Sequence, residues 1–193
     1  MLGFLKTVFS VGGRPAWREI VWLSTAAKLR GVRAAAKEAA DAGRPVLVVS
    51  HFPDVLRAAE AVAEECGGTA ASANDLPRTP RGAAVIVCGR HPHPAKDDAL
   101  AAAVAEELED ADVQVHSSLD DPVLKVVVTD AVRRMLDQVG MEDDEAIESA
   151  MVGRRIRLAQ EKLFGQTDPD ACPNAGSAEE WVRAALADRD RRA

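Results

Sequence analysis

Two short runs rich in β-branched residues, Val46-Leu47-Val48-Val49 and Ala83-Ala84-Val85-Ile86-Val87-Cys88, set the strongest limit on the fold. Neither alternates polar with apolar residues, so each reads as a strand buried on both faces, and such strands belong in a parallel sheet covered by helices. Helix signals duly surround them. Pro53 suits a first helical position, residues 55–65 continue the helix, and Gly67-Gly68 stops it. A weaker strand is expected at residues 69–72. After the turn region 74–82 and the second strong strand, an Ala/Glu-rich helix is expected over 97–110 and a strand with alternating valines over 112–117. This alternation predicts an α/β fold, three-layer, with a mostly parallel sheet of about four strands.

The flanks read as helical. Residues 17–42 are expected to form one long helix ended by Gly43, which delivers the chain to Pro45. Pro122 opens an amphipathic helix to residue 139, with Gly140 as its cap, and residues 143–164 form another, so the C-terminal part is helical. The acidic run Glu142-Asp143-Asp144-Glu145 then sits at a helix amino terminus, where the macrodipole favours carboxylates over any metal role. Residues 167–176, with Pro169 and Pro173, read as a linker, and Ser177-Ala178-Glu179-Glu180 is a capping box for a last helix through Trp181 and Leu186. At the other end, residues 1–9 space apolar groups as an amphipathic arm before Gly12-Gly13-Arg14-Pro15 interrupts it. The expected organisation is an arm over 1–16, an α/β domain with C-terminal helices over 17–166, and a linker with a final helix over 167–193.

Composition narrows the function classes. With 193 residues, 47% apolar and 28% charged, the chain supports one domain with a core. Its formal charge of −7, without a basic stripe carrying interleaved aromatics, argues against nucleic-acid binding. Cys66, Cys88 and Cys172 are odd in number and lack the spacing of a zinc site or a secreted disulfide framework, which fits a reducing compartment. No apolar run approaches the ~20 residues that span a bilayer, and the first ten residues lack the apolar region and cleavage site of a signal peptide. A cytoplasmic location is expected.

Several short motifs occur in a fixed order: Ser118-Leu119-Asp120-Asp121, Gly140-Met141-Glu142, Ile147-Glu148, Met151-Val152, Arg154 and Ala159-Gln160-Glu161-Lys162. This series resembles the segment of SecA preprotein translocase ATPases that leaves the second nucleotide-binding fold. Gly43-Arg44-Pro45-Val46-Leu47-Val48 is similar to a strand of the same family, His91 falls where its G-T-E-R-H-E-S-R-R block has a histidine, and residues 1–9 are similar to its amino terminus. The resemblance implies a RecA/helicase C-terminal-like fold, a P-loop-NTPase-like fold without a P-loop, and a link to protein export. It also implies weak contact of the arm with a membrane surface or the translocon, because only Lys6 and the amino terminus supply charge. No G-x-x-x-x-G-K-[ST] motif is present, and the family's arginine block falls on Ala101, Ala103 and Glu106. Such an arginine is worth about 10³-fold or more in phosphoryl transfer, so the expectation is a truncated, non-hydrolysing relative with no cofactor. Its partners are then expected to be another protein or a second copy.

All four histidines lie at or just beyond the ends of expected strands: His51 after the first strong run, His91 and His93 after the second, and His116 near the end of the last. In an open parallel sheet the carboxyl ends share the edge where ligands bind. Ser50, Arg90, Asp97 and Asp120 belong to the same edge. This set suits an anion held by Arg90 and protonated imidazoles, or a divalent metal held by neutral imidazoles and a carboxylate; the metal question stays open. It equally suits a small-ligand or metal-dependent enzyme, nucleotide sensing without turnover, or a structural role in which imidazoles cap strand ends and bond loop carbonyls. Cys88, on a buried strand, is expected to pack rather than react.

Overall fold

The structure is a computed structural model that describes residues 17–192 apart from 129, 139 and 143. The expected amino-terminal arm lies outside the described residues. Six strands form one sheet in the order β3-β2-β4-β5-β1-β6. They are β1 (Arg18–Trp22), β2 (Val46–Ser50), β3 (Thr69–Ser72), β4 (Ala84–Cys88), β5 (Asp112–Ser118) and β6 (Ala146–Glu148). All neighbours are parallel except β6, which runs antiparallel to β1. The α/β three-layer architecture expected from the sequence is present, with two more strands than expected.

On one face, α1 (Thr25–Asp41) and α2 (Pro53–Glu65) cover Val46, Val48, Ala84 and Ile86. Opposite them, α3 (Pro94–Glu107) covers Leu47, Val49, Val85, Val87, Val113 and Val115. Consecutive residues of β2 and β4 thus enter different layers, which is why these strands carry no polar alternation: every residue in both is buried. Beyond β5, α4 (Pro122–Val127) and α6 (Ala150–Phe164) extend the second layer through Val21, Leu119, Leu124 and Ile156. A further helix, α5 (Asp130–Gln138), follows α4, and α7 (Ala178–Arg192) seats Trp181 and Ala185 against Phe52, Val123 and Phe164. Among the described residues no helix is long and apolar enough to cross a membrane.

Four expectations are corrected. Residues 17–42 are not one helix: β1 comes first, and Ser24 starts α1 by accepting a hydrogen bond from the Ala27 N–H at 3.1 Å. The reason is tertiary. Glu19 and Val21 face one layer while Ile20 and Trp22 face the other, and pairing along β5 from Arg18–Gln114 to Trp22–Ser118 outweighs helix propensity. Residues 143–164 are likewise not one helix, because Ala146–Glu148 pairs with β1 and Ser149 caps α6 through the Met151 N–H. Glu142, Asp144 and Glu145 therefore lie before β6, where the Glu142 N–H donates to Glu145 Oε2 at 3.0 Å, and do not cap a helix. The expected helix 122–139 is broken into α4 and α5. The end of α1 follows expectation: Gly43 takes φ 71°, with Gly43 N–H to Ala40 O and Arg44 N–H to Ala39 O closing a Schellman motif.

Candidate functional site

The carboxyl ends of β2 and β4 bring His51, Arg90, His91, His93 and Asp97 to one edge of the sheet. Asp97, in the first turn of α3 and 3% exposed, is the hub. Its Oδ1 accepts from the His91 backbone N–H at 2.9 Å and lies 3.1 Å from His51 Nε2. That His51 contact is off the line of a good hydrogen bond, and the buried Nε2 has no other partner. Asp97 Oδ2 accepts from Arg90 Nη1 at 2.9 Å and from Gln160 Nε2 at 2.8 Å. Burial works to raise the Asp97 carboxyl; His51, Arg90 and Gln160 together outweigh it and hold the group well below the usual carboxylate range.

Arg90 does not face a ligand space. It forks onto Glu19, with Nη2 2.6 Å and Nε 3.0 Å from Oε2, and lies over the Trp17 ring with Cζ 5.7 Å from its centroid. Burial opposes its charge, but Glu19 and Asp97 more than offset that and raise its pKa. The guanidinium is thereby engaged on both sides by carboxylates of its own chain.

The imidazoles do local work. His93 Nδ1 accepts the Ala95 N–H at 3.0 Å, capping α3, and Nε2 lies 3.2 Å from Thr167 O, so the proton resides on Nε2. Burial lowers its pKa. His91 Nδ1 accepts the His93 N–H at 2.9 Å; its ring stacks on Phe52 at 5.0 Å and meets the edge of Trp181 at 4.9 Å. Burial, aided by His51, drops His91 to about 3, so it is neutral near pH 7. Ser50 Oγ bonds the Phe52 N–H and carbonyl at the turn into α2.

Two residues of the expected set stand apart. His116 pairs with Cys88 across the sheet and turns to the α1 face, where Trp22 Nε1 donates to its Nδ1 at 3.1 Å and the two rings stack. Burial, then Arg18 and Lys28, lowers it to about 4. Asp120 Oδ2 accepts the Thr25 N–H at the start of α1. Beside it, buried Lys28 meets Asp121 at 2.6 Å, and Asp121 also accepts from Ser118. Burial pushes the Cys88 thiol up to about 12, which makes it a packing residue at neutral pH. Among the described residues no three His, Cys, Asp or Glu side chains form a group able to hold a metal ion.

Glu19, Gln160 and Trp181 complete the edge and do not belong to the site set expected from the sequence. Gln160 was visible as the one amide on the buried stripe of α6, with Ile156, Ala159 and Phe164. Glu19 could be found only after β1 is recognised as a strand, since it is a carboxylate on an otherwise apolar ribbon. The segment after α6 roofs the edge: the Asp54 N–H donates to Gly176 O, Lys96 pairs with Asp170 at 2.7 Å, and Trp181 Nε1 donates to Pro169 O. A cleft of ≈ 180 Å³ remains beneath, between His51, Asn74, His91 and Lys96 below and Asp170 and Trp181 above.

No protein-family model matches the chain. Curated relatives are protein translocase subunits SecA: that of Polynucleobacter asymbioticus is 32% identical over 95 residues, which is 49% of this chain and 10% of that protein. The SecA of Sulfurimonas denitrificans is 29% identical over 90 residues, covering 47% and 10%, and that of Variovorax paradoxus is 32% identical over 82 residues, covering 42% and 9%. The match thus spans 10% or less of these relatives' length. The chain carries a SecA-like segment within an α/β fold.

Proposed function

We propose that the chain is a non-hydrolysing, SecA-like protein-interaction module linked to protein translocation, in which the sheet is retained and phosphoryl-transfer chemistry is not. The observation that carries the interaction reading is on α6. Met151 and Leu158, 68% and 56% exposed, lie two turns apart on one side of the helix, with exposed Arg154 and Arg155 between them. Val126, Val127 and Met135 add exposed apolar groups on the neighbouring helices. Exposed apolar groups with guanidinium groups between them suit a partner surface that sets acidic side chains between apolar patches. The absence of a phosphate-cradling G-x-x-x-x-G-K-[ST] motif and the engagement of Arg90 by Glu19 and Asp97 support the non-hydrolysing part.

The reading is tested by affinity capture from native lysate with wild type and with Met151→Glu/Leu158→Glu, quantified by mass spectrometry and paired with sedimentation. The expected result is recovery of a translocation component, or a self-associated species, that the double variant loses. Equal recovery by both proteins together with a monomer in sedimentation contradicts it. Magnesium-dependent ATP hydrolysis by purified protein that responds to a point substitution contradicts the non-hydrolysing part.

A further inference from the structure

The roof over the carboxyl edge does not fill the space beneath it, and His91, Asn74 and Lys96 line the floor of that space. His91, 5% exposed, uses Nδ1 to accept the His93 N–H, so its ring proton resides on Nε2, which among the described residues has no hydrogen-bond partner. Lys96 is the third residue of α3, a 14-residue helix whose amino end already carries partial positive charge; a lysine is unfavourable there unless an anion answers it. The Asn74 carboxamide lines the same cleft. The inventory is rich in donors, and the anion that meets it comes from the roof. Asp170, 63% exposed, reaches Lys96 Nζ at 2.7 Å.

We propose that the cleft is a binding site for a small oxyanion, a carboxylate or phosphate group, for which Asp170 is the resident substitute, so that residues 167–176 form a displaceable cover. An exposed ion pair of this kind is weak, so a free anion at millimolar concentration competes with it. The hydrogen bond from Lys96 holds the Asp170 carboxyl below its usual value, so the substitute is ionised wherever a competing carboxylate is. The cover keeps its outer attachments when Asp170 leaves, because Thr167 O meets His93 Nε2 and Pro169 O accepts from Trp181. This site is separate from the α6 stripe, and its success or failure leaves partner capture unaffected.

The test titrates the full chain with inorganic phosphate and, separately, sodium acetate, at ionic strength matched by sodium chloride, following imidazole and backbone resonances by NMR. The expected result is a saturable shift at His91 and Asp170 with at least one of the two anions, and the anion that saturates identifies the group recognised. Lys96→Ala weakens the response tenfold or more, and Asp170→Asn, which removes the internal competitor, tightens it several-fold. Unsaturated drift with both anions overturns the proposal, as does an affinity unchanged in both variants. Unchanged resonances of β2, β4 and β5 show that each variant is folded.

Discussion

At the residue scale, the edge depends on Asp97 answering four groups at once. Asp97→Ala leaves Arg90 with Glu19 alone and strips the His91 N–H and the Gln160 amide of their shared acceptor. Breaking such a buried pair costs about 3–5 kcal/mol, readable as a lower urea midpoint at pH 7. Histidine titration gives a second prediction. His91 and His116 are held to about 3 and about 4 in the fold, against 6.5 in the unfolded chain. Between pH 6.5 and about 4 the unfolded chain therefore binds protons that the native state refuses, and stability falls as pH falls. Each histidine contributes a slope of about 1.4 kcal/mol per pH unit below its unfolded value, so the pair costs roughly 4 kcal/mol between pH 7 and pH 5. Asp97 acts in the same sense at lower pH: its pKa is depressed, so its stabilisation is full above the ordinary carboxylate value and is lost as pH falls from there toward the folded-state pKa. Urea unfolding across this window checks the sign, and His116→Asn should remove about half of the slope.

At the element scale, β1 and α1 lock through one close approach. A β-carbon on Gly31 would fall inside the Trp22 indole, whose other side stacks on His116. Gly31→Ala is expected to cost about 1–3 kcal/mol through overpacking in spite of alanine's better helix propensity, and a lower thermal midpoint checks it. Trp181, 1% exposed, holds α7 to Phe52, His91 and Phe164. Its replacement by Ala should release α7 locally, so that amides of 178–188 exchange much faster while those of β2, β4 and β5 keep their protection.

The strands differ in what could be read in advance. Val46–Val49 and Val85–Val87 announce strands because both faces are apolar, and no polar pattern competes with that signal. The segment Trp17–Trp22 hides its strand. Two tryptophans, a buried glutamate and an adjoining alanine-rich helix blur the period of two, and the decisive mark was the Ser24 cap. Three residues of β6 are too few for any period, and their conformation is set by pairing with β1. At the candidate site, chain order located His51 and His91 at strand ends, but which face a side chain takes depends on register. His116 and Arg90 were therefore not legible: one turns to α1 and the other is claimed by Glu19.

At the scale of the whole molecule, the sheet, its two helical layers and the SecA-like segment form a scaffold whose carboxyl edge is largely occupied by its own residues. Arg90 is held by two carboxylates, two imidazoles cap and brace the start of α3, and residues 167–181 lie across the opening. The outward-facing chemistry lies instead along α6 and its neighbours, where Met151 and Leu158 stand in solvent beside arginines. The most direct measurement is quantitative capture from native lysate by wild type and by the Met151→Glu/Leu158→Glu variant, with folding of both checked by circular dichroism. The account predicts a translocation component or a second copy retained by wild type and lost by the variant; identical captured sets, with both proteins monomeric, would contradict it.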